Sequence, residues 1–239
     1  MSAIQLRAGF GRADITPEPG TPLMGYNPGA DRRASAVRDA LTANVLLLDG
    51  DAGRTAIVSL DLCLIDADVA ARIASCAADE LGISASHVVV ACTHTHSAPL
   101  TGVTTGWASV DEAYLSDILL PGVQSAGRSA AANVTPAQLG VGTTRSEVGI
   151  NRRPLNERHE SVLGQCPWEV FDPTMTVLRI ESADGPVVSL VHYAAHPTVL
   201  NPSSTVVSRD WPGVMIDRLE KASGGPAMFI NACSESSRR

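Results

Sequence analysis

The chain has 239 residues, 44% of them apolar and 18% charged, a globular composition that excludes disordered and collagen-like polypeptides. Its formal charge is −7, from 18 basic and 25 acidic residues. It has no basic run and no basic/aromatic alternation, which argues against nucleic acid as a partner.

No apolar run reaches about 18 residues, so no membrane span is expected. Residues 1–11 lack a charged start followed by an apolar stretch, so no secretion signal is expected either. The five cysteines, Cys63, Cys76, Cys92, Cys166 and Cys233, are scattered and form no Cys-x-x-Cys pair. Reduced, mostly buried thiols are expected. These features together fit a cytoplasmic protein. The sequence carries no signal of oligomeric state.

In chain order, residues 5–12 read as a strand that runs into the Pro/Gly-rich loop TPEPGTP and on to about residue 35. Residues 40–49 and 55–61 are apolar runs around Gly50-Asp51-Ala52-Gly53, the pattern of a hairpin. Residues 66–81 have helical spacing, with Asp66 at the start and Gly82 as the closing glycine. The β-branched run HVVVAC, 87–92, predicts a buried strand. A helix follows over 111–132, bent at Pro121. Residues 137–149 alternate as a strand, and 174–181 and 186–192 form a second hairpin. Residues 211–221 are helical with Pro212 in the first turn, and 228–232 are a short final strand. There is no internal sequence repeat and no linker. The expectation is an α/β fold: a mixed β-sheet core with covering helices, in one domain over residues 1–239. The strand AMFINA runs straight into the polar tail CSESSRR where a covering helix would normally follow. This reads as an incomplete domain: a truncated or frameshifted chain, or one half of a larger domain.

Two segments carry chemistry. Thr93-His94-Thr95-His96-Ser97-Ala98-Pro99 follows the strand HVVVAC directly. Side chains two apart on a strand share a face, so His94 and His96 can converge at a strand's carboxyl end. Imidazoles there suit zinc. A pair of hydrogen-bonded histidines in a polar loop is the plainer alternative. Val191-His192-Tyr193-Ala194-Ala195-His196-Pro197-Thr198 also ends an apolar strand, and Pro197 stops regular pairing. By alternation His192 shares the face of His196, although a half-buried strand histidine explains His192 as well. Arg152, in Asn151-Arg152-Arg153-Pro154, could hold a developing oxyanion in a cleft or be a solvated arginine. Asp61 could support a site histidine or cap a strand end.

These pieces together resemble the neutral/alkaline ceramidase family, amidases that cut the N-acyl bond of ceramide. The matching segments are GFGRADITPEPGTPLMGY, TAIVSLDLCLID, VVVACTHTHSAPLTG, INRRP, FDPTMTVLRI, LVHYAAHPTVLNP, SRDWPG and AMFINA. The resemblance implies the N-terminal part of that family's catalytic domain and one Zn2+ bound by His94 and His196. It places His96 beside the bound water or substrate and Arg152 against the scissile carbonyl. Gly25 and Tyr26 would lie in a loop near a lipid-like amide substrate. The family's glutamate and tyrosine zinc ligands have no counterpart in residues 1–239, so impaired activity is expected. Two other readings stay open: a vestigial, non-catalytic protein that keeps the fold, and a zinc amidohydrolase acting on a different small amide.

Overall fold

The computed structural model describes residues 6–26, 31–102 and 110–232. The elements in order are β1 (Arg7–Asp14), β2 (Ala36–Val37), β3 (Thr42–Gly50), β4 (Gly53–Leu60), α1 (Ala67–Leu81), β5 (Val88–Cys92) and α2 (Glu112–Tyr114). Then come α3 (Leu120–Ala132), β6 (Thr135–Arg145), β7 (Thr174–Ser182), β8 (Gly185–Tyr193), β9 (Val206–Val207), α4 (Asp210–Ser223) and β10 (Ala227–Asn231).

Both expected hairpins form. β3 and β4 pair antiparallel from Ala43↔Leu60 to Gly50↔Gly53, and β7 pairs antiparallel with β8. The expected helix α1 forms as read: the Asp66 carboxylate accepts from Val69 N, and Gly82 closes it at φ 64. A left-handed residue there suits glycine.

The helix expected over 111–132 also forms, and the reason for its irregularity lies ahead of Pro121. Residues Leu115–Leu119 are π-helical, and Leu120 N bonds Leu115 O. Pro121 has no amide to offer the preceding turn, so the helix widens by one residue there. The small strands β2 and β9 pair parallel; at two residues each they carry no readable period. The tail 233–239, residue 5 and loop residues 27–30 lie outside the described residues.

Eight strands form one mixed sheet in the order β10-β8-β7-β6-β1-β3-β4-β5, the α/β architecture expected. The junction at its middle is thin: among the described residues β1 pairs with β6 only at Arg7↔Pro136 and Ala8↔Thr135, with Ala137 N bonding Leu6 O beside them. About this junction the two halves repeat one topology. In each, three antiparallel strands lead through a helix to a fourth strand parallel to the third. In the first half this is β1-β3-β4-α1-β5, and in the second β6-β7-β8-α4-β10. The repeat is one of path, without a sequence counterpart.

The halves stack face to face. Ala8 and Leu46 of the first half pack on Ile180, Val188, Leu190 and Met228 of the second. The outer face of the first half takes α1 and α3, through Val45, Leu47, Val58, Ile73, Leu119 and Ala126. The outer face of the second takes α4, through Val191, Tyr193, Phe229 and Ile216. β3 shows why: its residues alternate between the two cores, as period-2 side chains must. The seam is closed by side chains. Ser59 Oγ donates to Phe229 O at 2.5 Å and Asn231 Nδ2 to Thr93 O at 3.2 Å. Arg12 donates to Ala227 O and pairs with Glu220 at 2.8 Å.

One expectation needs correction. β5 is an edge strand, and Val89 is 55% exposed. As the edge strand it is touched by β10 and α1 but not fully covered, so its β-branched run is only partly buried.

Candidate metal centre

β4 and β5 run parallel, as do β8 and β10, and the carboxyl ends of β5 and β10 meet at the seam, where Asn231 bonds Thr93. Ligands in α/β sheets gather at such carboxyl ends. The turn carrying His94 and His96 leaves β5, and the segment carrying His196 leaves β8.

His94 is not in strand geometry. Its φ is 70, left-handed and uncommon for a side chain with a Cβ. Strand alternation therefore does not explain how His94 and His96 meet; a tight, tied turn does. Thr93 N bonds Leu60 O and His94 N bonds Leu62 O. The buried Thr95 hydroxyl donates to Ser208 O at 2.7 Å, and Ser208 N returns to Ser97 O at 3.0 Å.

The imidazoles converge. His94 Nδ1 lies 2.6 Å from the Cys63 carbonyl. A carbonyl only accepts, so Nδ1 carries a proton, which leaves Nε2 as the nitrogen that can face a metal. His94 Nε2 is 3.4 Å from His96 Nε2, which is 2.8 Å from His196 Nε2. Rings 94 and 196 stand 4.5 Å apart, centre to centre. Burial, reinforced by the neighbouring imidazoles, lowers His96 to about 2; burial, with His94 next, lowers His196 to about 3. Both rings are therefore neutral at ordinary pH, the form that binds metals. Nδ1 of His96 and Nδ1 of His196 are buried with no hydrogen-bond partner.

These residues fit a zinc ion. Nitrogens about 2.0–2.1 Å from one tetrahedral zinc stand roughly 3.3–3.4 Å apart, which matches the 94–96 pair. The 2.8 Å pair is tighter and suits an arrangement in which one of His96 and His196 is not a ligand. Cys63, His94 and His96 also offer donor atoms within 4.8 Å of one another. However, the Cys63 sulfur approaches His94 at Nδ1, 4.0 Å away, and that nitrogen already faces the Cys63 carbonyl. The Nε2 cluster is the more coherent donor set.

Gly25 and Tyr26 sit against His96. Gly25 has φ 112, and a Cβ there would stand 2.4 Å from His96 Cγ. The Tyr26 ring is 4.7 Å from that of His96, and its hydroxyl donates to Leu200 O at 2.5 Å. Burial, with Asp210 next, pushes Tyr26 up to about 12.

Arg152 reaches the same place from the irregular segment after β6. Its Nη1 is 3.4 Å from Thr198 Oγ1. It lines a cleft of about 620 Å³ together with His196, Thr198, Phe171, Val199 and Trp211. His192 is exposed and stays out of the cluster, because regular strand geometry ends at Tyr193. Asp61 takes its capping role: it accepts from Thr42 N and Thr42 Oγ1, and burial raises its pKa.

Sequence reading missed two supports. Asp210, at φ 56, accepts from Val199 N and Leu200 N and so shapes the turn after His196. Arg32 reaches the His96 backbone from a loop that carries no motif.

The chain is similar to Neutral ceramidase B of Dictyostelium discoideum, 30% identical over 222 residues that cover 85% of this chain and 30% of that one. It is 26% identical to a neutral ceramidase of Mycobacterium tuberculosis over 245 residues, 92% of this chain and 36% of that one. The crystal structure of a neutral ceramidase from Pseudomonas aeruginosa superposes with a TM-score of 0.78 at 20% identity, over 95% of this chain and 38% of that one. The chain thus spans about a third of the length of these relatives. The family model for the N-terminal part of neutral/alkaline non-lysosomal ceramidases matches residues 6–237, and the chain belongs to that family.

Proposed function

We propose that the chain carries the histidine half of a zinc amidohydrolase centre for ceramide-like N-acyl amides, as the N-terminal part of a catalytic domain. The observation that supports it most is the meeting of three imidazole Nε2 atoms at the seam. His94 and His196 would hold the metal. When bound, zinc supplies Lewis-acid polarisation of the amide carbonyl and a low-pKa water. His96, neutral and adjacent to both, moves a proton between the attacking water and the leaving amine. Arg152 faces the carbonyl oxygen across the cleft and stabilises charge developing there. Gly25 leaves room for the His96 ring, and Tyr26 lines the approach. The apolar members of the cleft, Val148, Ile150, Phe171, Val199 and Trp211, favour a lipid-like amide over a small polar one.

Catalytic zinc usually takes three protein ligands, and His94 with His196 make two. We infer that residues 1–239 alone bind zinc weakly and turn over slowly or not at all. Among the described residues no helix is long and apolar enough to cross a membrane. The test is zinc titration of the isolated protein with hydrolysis of a fluorescent N-acyl sphingosine. Weak zinc binding lost in both His94→Ala and His196→Ala is expected. Zinc binding that survives both substitutions would overturn the site; tight, chelator-resistant zinc with rapid turnover would overturn the impairment.

A further inference from the structure

Arg32 is a charged side chain in the interior, 8% exposed. No carboxylate among the described residues forms an ion pair with it. Its Nη2 donates to the carbonyls of His96 and, at 3.3 Å, of Met24. The guanidinium lies over the Tyr26 ring, 5.0 Å from its centre. Its Nε and Nη1 are buried with no hydrogen-bond partner. A loop needing only an anchor would be served by a neutral side chain. A desolvated cation with two idle donors is expensive, and an unsatisfied buried polar group in a folded protein calls for an explanation.

The contacts converge on one residue. The His96 ring rests on Gly25, where a Cβ would overlap it, and on the edge of Tyr26. Arg32 joins the backbone on either side of that bed: it bonds Met24, covers Tyr26 and bonds His96 itself. Planar geometry suits this task, because one face can stack while the edge donates. We propose that Arg32 is a positioning residue, holding the Met24-Gly25-Tyr26 bed against His96 so that His96 Nε2 stays beside those of His94 and His196. The proposal extends the zinc-centre reading and rests on it only for its effect on metal affinity.

The test compares Arg32→Met and Arg32→Lys with Arg33→Met, a change at the exposed neighbour. Two readouts are taken. One is the rate at which diethyl pyrocarbonate modifies His96 in metal-free protein, resolved by peptide fragmentation, with exposed His87 and His192 as internal references. The other is zinc affinity. In Arg32→Met, His96 should react severalfold faster while His87 and His192 do not change, and zinc affinity should fall severalfold, because the released His96 ring no longer supports the His94 and His196 donors beside it. Arg32→Lys, which keeps a donor but no planar face, should fall between. A folded Arg32→Met with wild-type reactivity at His96 and wild-type zinc affinity overturns the proposal. Wild-type protein that binds no zinc sinks the metal reading, and the reactivity ratio still decides Arg32. If Arg32→Met does not fold, the same two readouts on Arg32→Lys decide it.

Discussion

The two halves of the sheet follow one path and are finished differently. The first half is covered outside by α1 and α3 and inside by the second half. Among the described residues the second half has only α4 outside, and β6 is largely bare, with Leu139 and Val141 exposed. The difference extends to the site. His94 and His96 sit in a turn tied to β4, to Ser208 and to the 24–26 loop. Arg152 sits in a segment held by isolated bridges, Asn151↔Cys166 and Leu155↔Ser161. The well-packed half fixes His94 and His96 in place, and His196 reaches them from the end of β8 in the other half. The open half carries the group that would meet a variable substrate, and such groups belong on low-stability segments.

The sharpest way to break this contrast is at Gly25. Alanine there must hold a positive φ and push on His96, so Gly25→Ala should cost about 2–4 kcal/mol in urea unfolding. An unchanged midpoint would mean the histidine bed is soft.

A medium effect is expected from acid. Folded His96 and His196 resist protonation to about 2 and about 3, against an ordinary 6.5. The unfolded chain takes up those protons first. The stability these groups contribute is therefore full above 6.5 and is lost as pH falls toward 3. Asp61, raised by burial, acts with the opposite sign above its unfolded value. The unfolding midpoint of metal-free protein should fall as pH drops from neutral, and His96→Gln should flatten that slope. An equal slope in the variant would assign the acid lability elsewhere.

The smallest effect is expected on the open side. Arg152→Ala should leave unfolding within about 0.5 kcal/mol of wild type, while any amide turnover drops. A large loss of stability would show that this segment is as tightly built as the histidine turn.

Local structure was legible where local chemistry decides it. Asp66 and Gly82 bracket α1 because a side-chain acceptor and a left-handed glycine solve the end problem of any helix. The Gly50–Gly53 turn made the first hairpin readable for the same reason. Long-range arrangement was not legible. The stacking of the halves combines the short β1–β6 junction with a shared core and side-chain bonds across the seam, and no periodicity encodes that. β5 looked buried because apolar residues line both its faces, yet it lies at the sheet edge, where α1 and β10 cover it in part and leave Val89 exposed. The histidine pair was found for a partly mistaken reason. Alternation predicted that His94 and His96 share a face; they meet through a left-handed residue instead. That His94 faces His196 came from family resemblance, since spacing cannot tell which two strand ends meet.

β10 gives this centre a history in time. The strand is the last element described, and its edge carbonyls are held by Ser59 and Arg12, far back in the chain. Asn231 then ties β10 to Thr93, next to His94. Contacts across such separations form late, because their loop-closure entropy must be met before they return anything. During synthesis the His94 turn can therefore exist long before its partner strand. The meeting of His96 with His196, 100 residues apart, is a contact of the same kind, so a half-made chain would carry no finished metal site.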